Sequence, residues 1–150
     1  YLQLDEGDFL SEGPAIVQYL GDQNPASGIV PPAGTHARYR LQEWLSFINS
    51  ELHKSYSPLF AKTTTAEVRA ERAAYLRKRY AIVEKHLGTH DWLVGGRFSG
   101  ADAYLFTVTN WARIVGLDLR DLPLLQAFQA RVAARPAVQA AMKAEGLLAA

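Results

Sequence analysis

Residues 100–115, GADAYLFTVTNWARIV, set the tightest limit on the fold. The stretch reads as a helix and is apolar nearly all round. A helix with no polar face is stable in water only when other elements surround it. It should therefore be the buried centre of a bundle, and the rest of the chain must supply helices that are apolar on one side. It does. From Thr35 to about Phe60, Leu41, Leu45, Ile48, Leu52 and Leu59 recur at helical spacing. Pro58 is expected to kink or end that helix. From Ala66 to Leu87, Leu76, Tyr80, Val83 and Leu87 repeat the pattern, with Arg and Glu on the other side and Gly88 as the stop. Gly116 ends the central helix. Pro123 and Pro136 open two shorter helices that carry Leu124, Leu125, Phe128, Val132, Val138 and Met142.

The front of the chain differs. YLQL (Tyr1–Leu4) and FLS (Phe9–Ser11) flank an acidic Gly turn, a hairpin signal. A two-stranded hairpin is marginal alone and needs more sheet or a helix to lean on. A helix follows from Pro14 to about Gln23. NPASGIVPPAG, residues 24–34, is rich in Pro and Gly, lacks periodicity and is the best linker candidate. The expected organisation is a hairpin and helix over 1–24, a linker over 25–34 and an all-helical region over 35–150. The fold class is mainly α.

Bulk composition excludes several functions. Sixteen basic and 15 acidic residues leave a net charge of +1, so there is no electrostatic footprint for nucleic acid or an anionic membrane. There is no cysteine, which rules out disulfides and thiolate metal sites within these residues. No apolar run approaches the roughly 18 residues of a membrane span, and no signal peptide is visible. HLGTH, residues 86–90, has the spacing of two zinc ligands on a helix. It contains a helix-stopping Gly and no Glu partner, so no metal is expected there. Phosphate loop, nucleophile elbow and dinucleotide fingerprint are all missing.

Four features are able to carry chemistry. The turn Glu12-Gly13-Pro14 sets a carboxylate beside the unpaired N–H groups of a helix start, where the macrodipole is positive. An amino-acid head would suit both charges, although ordinary capping preferences also produce such a start. On the long helix, Ser46, Asn49, Ser50, His53 and Ser57 form a stripe of small polar residues with a single imidazole. It is either a solvated or packing face, or a face where a ligand or second chain comes close. Lys54 lies on its flank, as a solvated lysine or as a cation at a pocket rim. Tyr56, Phe60, Tyr104 and Trp111 form an aromatic set that reads as core or as pocket wall. Ser99-Gly100-Ala101-Asp102 is a capping box, with Ser99 as cap and Asp102 reaching back. Asp102 is thus expected to serve folding, not catalysis.

Taken together, LDEGDFLSEGPAIVQYL, EWLSFINSELHKSYSPLF and WLVGGRFSGADAYLFTVTNWA resemble a bacterial beta-class glutathione transferase. The similarity runs from Tyr1 to the final AEGL. It implies an all-helical C-terminal domain preceded by the last hairpin and helix of a thioredoxin-like, glutathione-binding domain. It also implies that Glu12 and Gly13 hold the γ-glutamyl group. Many members carry Ser at the second position, so Gly13 keeps the N–H and lacks a hydroxyl bond. His53 matches the histidine near the glutathione sulfur, and Ser50, Glu51 and Leu52 match the stretch beside it. Ser46 falls where relatives commonly carry an Asn that reaches the partner subunit's glutathione. Lys54, Tyr56, Phe60, Tyr104 and Trp111 fall where the electrophile pocket is expected.

The activity implied is conjugation of the glutathione thiol to small hydrophobic electrophiles, a detoxification reaction in the cytoplasm. Glutathione would be a co-substrate, no separate cofactor or metal is expected, and the assembly implied is a homodimer. The family's leading βαβ unit, with the beta-class cysteine and a Val–cis-Pro pair, has no counterpart here. On that expectation Tyr1 opens the larger C-terminal part of the enzyme, and these 150 residues alone are inactive. Other readings are a non-catalytic transferase-like binding module, a plain helical scaffold, and a transferase-fold isomerase, thiol reductase or dehalogenase. The acid turn argues against the module, and the polar stripe against the scaffold.

Overall fold

The computed structural model describes residues 1–148. Strands β1 (Leu2–Gln3) and β2 (Phe9–Leu10) pair antiparallel, Leu2 opposite Leu10 and Gln3 opposite Phe9. Seven α-helices follow: α1 (Gly13–Gln23), α2 (His36–Phe47), α3 (Lys54–Phe60), α4 (Ala66–Leu87), α5 (Gly100–Val115), α6 (Pro123–Ala133) and α7 (Pro136–Ala144). A 3-10 turn, Pro25–Ser27, lies between α1 and α2.

α5 is the axis of the bundle. Ala101, Leu105 and Val108 are sealed from solvent against Leu41 and Leu45 of α2, Leu76, Tyr80 and Val83 of α4, and Leu125, Phe128 and Val132 of α6. Fully burying one such side chain contributes roughly 1.5–3 kcal/mol. The axis is not enclosed on every side: Thr107, Arg113 and Ile114 face solvent. Its start is fastened by Asp102, which is fully buried. The carboxylate accepts from Ser99 N–H at 2.8 Å, Ser99 Oγ at 2.6 Å and Leu93 N–H at 2.9 Å. Burial pushes the Asp102 pKa up, and these donors pull it back. One side chain thus caps α5 and pins the loop before it.

The helix expected over Thr35–Phe60 is not one continuous α-helix. Between α2 and α3, residues Ile48–His53 form a π-helical segment, in which the Lys54 N–H reaches back to Asn49 C=O. A single widened turn leaves the apolar spacing almost unchanged, so periodicity does not reveal it. Pro58 lies inside α3, which runs only two residues further, to Phe60. At the end of α4, Gly88 keeps right-handed helical geometry, so it does not form the left-handed cap its position suggested.

The segment proposed as a linker is packed down. Val30 is buried, and Ile29 C=O accepts from Gly100 N–H at 2.9 Å. Arg38, only 5% exposed, donates to Pro31 C=O at 2.7 Å and pairs with Asp22 of α1. Gln42 Nε2 donates to Gln18 Oε1 across the same joint. At Gly100 a Cβ would stand 2.3 Å from Val17 Cγ1. Glycine is required there because α1 touches the backbone of α5. The start of α1 is therefore held in a set position against α5.

Asp102→Ala should lower the free energy of unfolding by about 2 kcal/mol or more, since it removes a cap and strands a buried N–H. Equilibrium urea unfolding measures this, and an unchanged midpoint would refute the fastening role.

Candidate functional site

The start of α1 is strained. Glu12 is the capping residue, with φ 69° and ψ 113°. It is the only non-glycine residue with positive φ among those described. Such a conformation costs about 1–3 kcal/mol and persists where the surroundings hold it, often at ligand clamps. Its carbonyl accepts from Ala15 and Ile16 N–H, both at 3.0 Å. Pro14 has no N–H. Of the donors inside the first turn, only the Gly13 N–H is left without a protein partner among the described residues.

Tyr104 of α5 stands over this opening. A Cβ on Gly13 would lie 3.9 Å from Tyr104 Cζ, an ordinary contact. The Tyr104 hydroxyl meets the π-helical segment at two points: it donates to Asn49 Oδ1 at 2.9 Å and lies 2.6 Å from His53 Nδ1. The His53 ring packs edge-on against Trp111, centroids 4.7 Å apart, and Trp111 meets Phe60 at 5.6 Å. The result is a continuous wall from Gly13 through Tyr104, His53 and Trp111 to Phe60, with exposed Glu12 at one end and exposed Lys54 on the flank.

Other residues from the sequence reading stand elsewhere. Tyr56 is fully buried, packs behind Trp111 and bonds the Tyr80 hydroxyl at 2.9 Å. It supports the wall without lining it. The Leu52 side chain is fully buried in the core. The Glu51 carboxylate is turned to α4, where it accepts from Tyr75 Oη at 2.6 Å and pairs with Arg79 at 2.8 Å. Ser46 and Ser50 are exposed, and Ser50 Oγ donates to Ser46 C=O. Thus the polar stripe divides: Asn49 and His53 turn to Tyr104, and Ser46 and Ser50 stay outside. The family resemblance implies no role for Asn49. Its signal was its place four residues before His53 in the same stripe.

The electrostatics follow from this packing. Burial lowers the His53 pKa below its ordinary value, Lys54 lowers it further, and Glu12 partly offsets both. The Tyr104 hydroxyl is pushed up to about 12, first by burial and then by Glu12. At neutral pH the site therefore holds a neutral imidazole and a neutral phenol beside an acid. Two clefts, of about 690 Å³ between α5, α6 and α7 and about 410 Å³ between α2 and α4, contain none of these residues. The chemistry decides between them and the wall: they lack its convergence of imidazole, phenol, acid and free N–H. Among the described residues no cluster of His, Asp and Glu could hold a metal ion.

Residues 41–136 match the family model of the glutathione S-transferase C-terminal domain. The glutathione S-transferase GstA of Escherichia coli O157:H7 is 45% identical over 146 residues, 97% of this chain and 73% of that protein. The chain belongs to the glutathione S-transferase family. A sphingomonad family member solved in complex with glutathione is 46% identical, with a TM-score of 0.93 over 98% of this chain and 73% of that one. The beta-class transferase of Sphingomonas chungbukensis is 41% identical, with a TM-score of 0.94 over the same shares. Within the glutathione S-transferases the likeness is thus to the bacterial beta class.

The two charges flanking His53 oppose each other, which makes its titration a test of the geometry. Its pKa should lie below 6.5 by NMR, rise in Lys54→Gln and fall further in Glu12→Gln. Because the native value is depressed, the associated stability is present above pH 6.5 and lost as pH falls through the native pKa. An unshifted His53 would refute this arrangement.

Proposed function

We propose that the wall from Glu12 to Phe60 is the glutathione and electrophile site of a glutathione transferase. The observation that carries this reading is that the open end of α1 lies beside Tyr104, whose hydroxyl also contacts the His53 imidazole. The γ-glutamyl head of glutathione is a zwitterion. Its carboxylate suits the Gly13 N–H at the positive end of α1, and its ammonium suits the exposed Glu12 carboxylate. With that head anchored, His53 stands against the sulfur. Trp111, Phe60 and the Tyr104 ring supply the apolar face for small hydrophobic electrophiles, with Lys54 at the rim.

The reaction needs a thiolate. A thiol with a pKa of about 8.5 is mostly protonated at neutral pH, and polar groups around the sulfur raise the thiolate fraction. The sulfur's electron pair then forms the carbon–sulfur bond, and the leaving group departs with its bonding pair. His53 contributes polar contacts at the sulfur and offers a nitrogen to the thiol proton, but that proton can also leave to water, so His53 is not an obligatory base. Glutathione is consumed as a co-substrate.

A homodimer belongs to the same proposal. Exposed Ser46 and Ser50 on the outer side would face a second copy, Ser46 near the partner's glutathione. So does a cytoplasmic setting for detoxification. Among the described residues no helix is long and apolar enough to cross a membrane.

In the full-length protein, Glu12→Gln should weaken glutathione binding about tenfold, the loss of one charged contact. His53→Ala should lower turnover of a chromogenic electrophile about tenfold or more while glutathione-affinity binding persists. Wild-type kinetics in His53→Ala would sink its role. Unchanged glutathione affinity in Glu12→Gln would remove the anchor.

A further inference from the structure

The three-residue contact at Tyr104 has a proton inventory that constrains His53. A phenol carries one proton, and Tyr104 Oη donates it to Asn49 Oδ1 at 2.9 Å. Tyr104 Oη also lies 2.6 Å from His53 Nδ1. With the phenol proton committed to Asn49, the donor in this second contact must be the ring N–H. In a neutral imidazole a proton on Nδ1 leaves Nε2 bare. Among the described residues Nε2 takes part in no hydrogen bond.

We propose that Asn49, acting through Tyr104, is a positioning residue that holds His53 in its Nδ1–H tautomer and keeps Nε2 as the acceptor for the glutathione thiol. The proposal rests on the reading of His53 given above and specifies which ring atom serves the sulfur. It also specifies the direction of the proton. The S–H proton passes to Nε2, the bonding pair stays on sulfur, and the imidazolium keeps its Nδ1–H on Tyr104. No ring flip is needed. After the carbon–sulfur bond forms, the Nε2 proton leaves to the departing group or to water. A carboxylate orients a catalytic histidine in the same way. Here a neutral amide does so through a phenol, which sets the orientation without adding a charge.

The reverse amide orientation would have the opposite outcome. Asn49 Nδ2–H would donate to Tyr104, Tyr104 would donate to Nδ1, and Nε2–H would become a donor. Long-range proton–nitrogen NMR on the nitrogen-15-labelled protein separates the two, with His53→Gln identifying the signal among the four histidines. The wild type should show Nδ1–H. Asn49→Ala and Tyr104→Phe should move His53 towards Nε2–H, and Asn49→Asp, which keeps an acceptor oxygen, should restore Nδ1–H. Nε2–H in the wild type, or Nδ1–H unchanged in both Asn49→Ala and Tyr104→Phe, would overturn the proposal. The measurement needs no glutathione, so its failure is distinguishable from failure of the glutathione site.

Discussion

The approach of α1 to the backbone of α5 at Gly100 is the constraint on which the site depends. Val17 occupies the space a side chain at that position would need, and the Gly100 N–H is tied to Ile29. Asp102 fastens the same end of α5 to the preceding loop. These contacts place the start of α1, with Glu12 and Gly13, beside Tyr104 one turn further along α5. Arg38 and Gln42 close the joint from α2. The fastening is local and dense, and the wall it supports faces outward and stays open.

The second element of the site is the widened turn at Ile48–His53. Its apolar members, Ile48 and Leu52, point into the core. Asn49 and His53 turn to the Tyr104 hydroxyl at the edge of that core, and Glu51 turns to α4. One short segment therefore feeds the core, the wall and the outer face. Burial and then Lys54 favour the neutral state of its imidazole, and Glu12 only partly offsets them.

Much of this was legible before the structure. Helical spacing, Pro at helix starts and the Ser99–Asp102 box located the helices, because burial on one face and backbone capping are local demands that leave a periodic trace. The front hairpin and the acid turn were legible for the same reason. The π-helical turn was not, because it alters the hydrogen-bond ladder while leaving the apolar spacing nearly intact. The packing of residues 25–34 was not either: Pro and Gly there signalled irregular backbone, and irregular backbone is not the same as loose backbone.

The sequence by itself determined the element order, the apolar faces and the acid, imidazole and aromatic residue types that the wall is built from. Tertiary structure decided which of those residues meet. Tyr56 and Tyr104 are both aromatic candidates, yet one is sealed behind Trp111 and the other lies beside Gly13 and bonds His53 and Asn49. Glu51 and Asn49 stand two residues apart, yet one turns away to Arg79 and the other joins the imidazole. Spacing sets the angle of a side chain about its own helix. Whether that angle meets another element depends on how helices cross, and the crossing is set by contacts such as Gly100 against Val17, between residues distant in the chain.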